Sequence, residues 1–264
     1  MLYTKLMAAL FRWWYGEPAE VPEGAETGLV LLADGVGGLD LCEMGLRQVM
    51  GERGGLRLVR TVHWGHGFGR WHADLTDVAN HRARALAVVE EVLAWRERRP
   101  GTPVYLVGKS GGSAIVVGAL EGLPEGSVEA AVLLAPALSP EYDLSRALGA
   151  VRREMVVFWS PLDVVILGAG TWLFGTVDRV RSVGAGMVGF RRPGSLDAAG
   201  RARYARLRQV RWNPGMASTG YLGGHVGPDA PAFLRKYVVP LLTDPKPLGL
   251  LNFPRDQAHP TPRR

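Results

Sequence analysis

The chain predicts an α/β fold: a mostly parallel central sheet with helices on both faces. Three observations carry this reading. Short apolar runs and stretches of helical spacing alternate about six times along the sequence. The apolar runs are continuous, as expected for parallel strands buried on both faces. The 264 residues, 47% hydrophobic and 21% charged, suit a domain that buries a full core without disulfides or metals.

Taken in order, residues 2–15 have an amphipathic helical pattern. Leu2, Leu6, Leu10 and Trp13 share one side, with Met7 and Trp14 beside them, and Thr4, Lys5, Ala8 and Arg12 share the other. The stretch is too short to span a bilayer, and no small-residue cleavage site follows it. It is read as a helix docked on its own domain; a peripheral membrane contact is the alternative, because tryptophans and cations suit that role. With the acidic linker that follows, it forms a first unit, 1–26.

The core unit, 27–243, begins with the strand GLVLLA at 28–33. Helical spacing follows at 39–50, a Val-, Leu- and Trp-rich strand at 56–64, and a loop with Gly65, Gly67 and Gly69. The clearest helix is 77–99, with Val78, Ala85, Leu86, Val89, Val92 and Leu93 on one face and Pro100-Gly101 at its end. A strand at 104–107 leads to a small-residue helix at 113–120. Strands are expected at 128–134, 155–159 and 207–212. A closing helix is expected at 229–242, with Asp229 as N-cap and Pro231 in its first turn. Residues 244–264, rich in Pro and Arg, read as a mobile tail.

Composition excludes several classes. The net charge is +6, but the 27 Arg and 4 Lys are scattered rather than gathered on one stripe, so no nucleic-acid partner is expected. Several of the Arg groups, Arg152 and Arg153 among them, read as helix-end cations. The single Cys42 forms no internal disulfide and no Cys-based zinc site. No run of 18 apolar residues marks a spanning helix. A cytoplasmic location is expected, with the peripheral membrane contact as its variant.

In such sheets functional residues sit at the carboxyl ends of the strands. After the 104–107 strand comes Gly108-Lys109-Ser110-Gly111-Gly112, a G-x-S-x-G between strand and helix. A serine on so sharp a turn needs small neighbours two positions either side, and the turn aims the next N–H, that of Gly111, at a site beside the helix N-terminus. A phosphate-binding loop is rejected, because Pro103 stands where that motif needs glycine. Gly184, Gly186 and Gly189 match G-x-G-x-x-G but lack a preceding strand. The base is assigned to His225, whose flanking glycines let a loop fold over the serine. The acid is assigned to Asp163, at the end of a strand and in the Ser…Asp…His order, with Asp143 and Asp178 as rivals. His63, His66, His72 and Asp74 match no metal-ligand spacing, so loop packing or pocket lining is the better reading. A second oxyanion donor is expected from the loop 34–38, from Val36 or Gly35.

With GKSGG at 108–112, SPLD ending at Asp163, GGHVG around His225 and the Gly-rich loop at 34–38, the chain resembles the α/β-hydrolase superfamily over roughly 27–242, and is similar to its compact bacterial esterase-like members. The resemblance implies a serine hydrolase that cleaves a small-molecule ester or related acyl compound through a Ser-His-Asp triad and an acyl-enzyme. No metal or organic cofactor is implied. There is little room between 134 and 163 for a lid domain, so an open site is expected. Asp34 stands where such loops often carry His, and must point away from the oxyanion or be hydrogen-bonded. An acyltransferase or lipase on the same triad, or a non-catalytic binding protein of this fold, are the alternatives. The oligomeric state, the acyl group and the alcohol are left open.

Overall fold

Among the described residues six strands pair in one sheet, and every pairing is parallel. They are β1 (Gly28–Ala33), β2 (Arg57–Thr61), β3 (Val104–Lys109), β4 (Val128–Leu134), β5 (Val151–Trp159) and β6 (Leu207–Arg211). A computed structural model of the chain describes residues 21, 22, 24–52 and 57–243. The expected helix at 2–15 and tail at 244–264 lie outside the described residues. Among the described residues no helix is long and apolar enough to cross a membrane.

The strand order is β2-β1-β3-β4-β5-β6. After β1 the chain steps outward to β2, then crosses back to β3 and proceeds the other way. The connections therefore leave β1 and β3 in opposite directions, and a crevice opens at the carboxyl ends of these two neighbours.

Side chains alternate across the sheet with period two. Leu29, Leu31 and Ala33 of β1 face one core, which α3 (Val78–Arg98) and α4 (Gly112–Gly122) cover through Val88, Val92, Ile115 and Leu120. Val30 and Leu32 face the other, covered by α1 (Leu41–Glu52) and the closing helical run through Leu46, Phe233 and Val238. Each such side chain contributes roughly 1.5–3 kcal/mol on burial. Asp77 caps α3 by accepting the Asn80 N–H at 2.9 Å. Between β2 and α3 lies a shorter helix, α2 (Trp71–Thr76).

Three expectations need correction. Asp229 is not an N-cap: it lies in the turn Gly227–Asp229, and Ala230 precedes the helix. That closing run is not regular: Pro231–Phe233 and Val239–Thr243 are α-helical, and Leu234–Val238 between them is a wider π-turn. Pro240 gives the reason, since its ring offers no N–H to the Lys236 carbonyl and crowds it, and the wider turn relieves that crowding. Arg152 and Arg153 end no helix. They extend β5 back to Val151, where Arg152 Nε donates to Glu129 at 2.7 Å and Arg153 Nη2 to the Leu241 carbonyl at 2.6 Å.

Candidate active site

The turn after β3 holds Ser110 at φ 51°, a left-handed conformation that costs a non-glycine residue about 1–2 kcal/mol. Its surroundings over-determine it. The Ser110 N–H donates to the Leu134 carbonyl at 2.9 Å, and its own carbonyl accepts from Ala137 at 3.1 Å. The glycines two positions either side are sterically required. A Cβ on Gly108 would lie 2.7 Å from Ser113 Cα, and one on Gly112 would overlap the Ala33 and Asp34 carbonyl oxygens.

Ser110, His225 and Asp163 are brought together. The Ser110 hydroxyl donates to His225 Nε2 at 2.9 Å, and His225 Nδ1 donates to Asp163 Oδ2 at 2.6 Å. The carboxylate thus selects the tautomer that leaves Nε2 free to accept. Asp163 ends the turn after β5 and opens a π-turn, Val164–Gly170, accepting the Leu167 N–H with its other oxygen at 3.4 Å. His225 follows Gly223, whose φ of 93° and close approach to Leu162 admit no side chain: a Cβ would lie 2.7 Å from Leu162 Cδ1. Burial pushes the His225 pKa below its ordinary value, and the Lys109 ammonium pushes it further; Asp163 acts in the opposite sense. The rival acids are engaged elsewhere. Asp178 accepts the Ser139 N–H and hydroxyl at 2.9 and 2.5 Å, and Asp143 accepts the Ser145 N–H at 2.9 Å.

The loop after β1 lies against this turn: a Cβ on Gly111 would be 2.6 Å from Val36 Cγ1, and one on Gly35 3.6 Å from Ser110 Cβ. The N–H inventory separates the two candidate donors. Gly35 N–H donates to Asp34 Oδ1 at 2.6 Å, and Gly37 N–H to Asp74 Oδ2 at 2.7 Å. Those of Val36 and Gly111 meet no acceptor among the described residues. The Val36 N–H is thus uncommitted among the described residues, whereas that of Gly35 is engaged by Asp34. Asp34 is turned away, its second oxygen accepting the Glu43 N–H at 2.9 Å. Burial raises its pKa, while the Glu43 and Gly35 N–H groups and Lys109 hold it down.

Beneath the serine sits a buried ion pair that the sequence reading missed: Lys109 Nζ lies 3.4 Å from Asp229 Oδ2. Burial alone would lower the Lys109 pKa, but the Asp229 and Asp34 carboxylates outweigh it and the value ends raised. Burial lifts Asp229 to about 6 against the pull of Lys109. A signal was present: Lys109 shares strand parity with Tyr105 and Val107, whose side chains face the core under α1. A lysine there requires a carboxylate from the elements covering that face.

Asp74, fully buried, was also missed as a brace. Besides Gly37 it accepts the His66 N–H at 2.6 Å and faces His66 Nδ1 at 3.0 Å. His66 is thus loop packing, and among the described residues no group of three or more His, Cys, Asp or Glu is disposed to hold a metal ion. Gly186 serves close packing: a Cβ there would lie 2.7 Å from Ala135 Cα.

No family model matches the chain, and no curated protein matches it. Among solved structures it is similar to a presumed hydrolase of the alpha/beta superfamily from Xanthomonas campestris pv. campestris, at 23% identity over 78% of this chain and 95% of that one, TM-score 0.41. It is similar to a Trichoderma reesei cutinase in complex with a phosphonate inhibitor, at 15% identity over 92% of this chain and 88% of that one, TM-score 0.44. A cutinase-like protein from Cryptococcus sp. matches at 13% identity over 85% of this chain and 98% of that one, TM-score 0.44. With six parallel strands in the order β2-β1-β3-β4-β5-β6 and a strained serine turn after β3, the fold is α/β-hydrolase-like.

Proposed function

We propose that the protein is a serine hydrolase that cleaves a carboxylic ester, or a related acyl compound, through an acyl-enzyme. The observation that carries this is the continuous hydrogen-bonded chain from Ser110 Oγ through His225 to Asp163. As Ser110 Oγ bonds to the substrate carbonyl carbon, its proton passes to His225 Nε2, and the carbonyl oxygen becomes an oxyanion. The N–H groups of Gly111 and Val36, which meet no acceptor among the described residues, are the donors assigned to that charge. His225 then gives its proton to the departing alkoxide as the carbon–oxygen bond breaks. Water repeats the sequence on the acyl-serine, releasing the acid and restoring the serine. Asp163 stays a carboxylate and stabilises the transient imidazolium.

The test is covalent. A fluorophosphonate probe should label the protein and add its mass to the peptide containing Ser110, and Ser110→Ala should abolish both the label and the hydrolysis of p-nitrophenyl esters. Labelling at another residue, or persistent hydrolysis by Ser110→Ala, would overturn the proposal.

A further inference from the structure

Thirteen of the sixteen large apolar side chains exposed among the described residues lie on the loops that follow β1, β2, β5 and β6; the other three, Val78, Leu86 and Leu93, are on α3. Those four loops stand at the same end of the sheet as Ser110. Val165 and Leu222 are each 72% exposed, and Trp172 is 65% exposed.

The loops touch one another. The Trp71 ring meets the Phe174 ring edge-on, with centroids 5.1 Å apart. Trp71 also leans on the oxyanion loop, its Cβ 3.7 Å from where a Cβ on Gly37 would stand. Leu162 packs against Gly223, next to Leu222. The apolar side chains therefore form a collar around the serine rather than isolated spots.

Charge is arranged around the collar, not in it. Residues 164–177 contain no Asp, Glu, Lys or Arg. Arg70 immediately precedes Trp71, and Arg179 and Arg181 follow the uncharged run. All three are exposed and make no ion pair among the described residues. Arg179 Nη1 donates to the Phe174 carbonyl at 3.3 Å, which keeps its guanidinium at the collar's edge. Asp178, just before the two later arginines, accepts from Ser139.

We infer that this collar docks on the surface of an anionic lipid bilayer, which presents a lipid ester to Ser110. Exposed tryptophans and valines would enter the headgroup boundary while the arginines meet phosphates. The position of the collar favours a bilayer over a protein partner. Anything that covers it also covers the entrance to the serine, so the occupant must itself be the source of substrate. The substrate class rests on the hydrolase reading; the docking does not.

The experiment uses the full chain carrying Ser110→Ala, so that no lipid is consumed. Sedimentation with vesicles of phosphatidylcholine plus phosphatidylglycerol should carry the protein down, and vesicles of phosphatidylcholine alone should carry much less. The triple variant Val165→Ser/Trp172→Ser/Leu222→Ser should keep its melting temperature, because all three side chains are exposed, and lose partitioning by on the order of tenfold or more. A chain lacking residues 1–15 should still bind. The inference is overturned if the triple variant partitions like its parent, or if removing 1–15 abolishes binding. Fluorophosphonate labelling of the chain with Ser110 intact separates the two readings. An unlabelled serine with intact vesicle binding would overturn the hydrolase and keep the docking; a labelled serine without vesicle binding would do the reverse.

Discussion

Asp74 Oδ2 accepts the backbone N–H of Gly37 at 2.7 Å, from a carboxylate with no exposure to solvent. Gly35 on the other side is tied to Asp34. Between these two anchors the Val36 N–H is the one left free to point at the serine. Asp74→Ala should therefore loosen the donor without touching the triad. We expect kcat to fall by on the order of 10²-fold, the scale of one lost oxyanion donor, with KM little changed. The orphaned Gly37 and His66 N–H groups should cost about 1–3 kcal/mol of stability. Steady-state kinetics beside thermal melts check this; a melt shift with unchanged kcat would make Asp74 structural only.

Ser110→Ala should reduce kcat by on the order of 10⁶-fold. Ser110→Gly should be equally inactive yet more stable than Ser110→Ala by about 1 kcal/mol, because glycine holds φ 51° without strain. Denaturant unfolding of the two variants compares them directly.

For Asp163→Asn we expect a loss of about 10⁴-fold in kcat, since an amide favours the wrong imidazole tautomer. Asp143→Asn and Asp178→Asn should leave kcat near that of the parent, because their carboxylates hold Ser145 and Ser139 instead. Equal damage from Asp178→Asn would move the acid elsewhere.

The pH profile tests Lys109. His225 must be neutral to take the serine proton, and burial together with the Lys109 ammonium lowers its pKa below 6.5. The acid limb of kcat/KM should thus fall below pH 6.5. Lys109→Met removes one lowering influence, so the limb should move upward. It also strands Asp229 and Asp34, at a cost of about 3–5 kcal/mol. Lys109→Met/Asp229→Leu should recover part of that stability while the limb stays displaced. The linked effect on folding has the same sign. A histidine whose folded pKa is lowered contributes stability that is present above pH 6.5 and lost as pH falls below it.

Apolar runs and their punctuation made the sheet legible. Residues 28–33 and 128–134 match β1 and β4 because both runs are apolar but for Glu129 near the start of β4. β5 reads short because Arg152, Arg153 and Glu154 look like surface, and only the neighbouring strand and helix supply their partners. Ser110, Asp163 and His225 could be selected from order and spacing, since each follows a strand and the serine turn constrains its neighbours sterically. Asp74 and Asp229 could not. Each acts on a loop or strand far away in sequence, and nothing local distinguishes a buried bracing carboxylate from a solvated one. The short helices after β5 escaped for a related reason: 164–174 is apolar on its exposed side as well as at buried Leu167, so hydrophobic periodicity could not separate the two faces.

The backbone bonds that pin Ser110 reach Leu134 at the end of β4, Ala137 just beyond it, and Ser113 in the first turn of α4. The side chains of Val165, Trp172 and Leu222 take no part in that anchorage. Aim and selectivity are therefore inherited separately in this chain. Outward side chains can drift, or be exchanged, and so change which surfaces and acyl groups are accepted, while the sheet keeps the nucleophile's direction fixed.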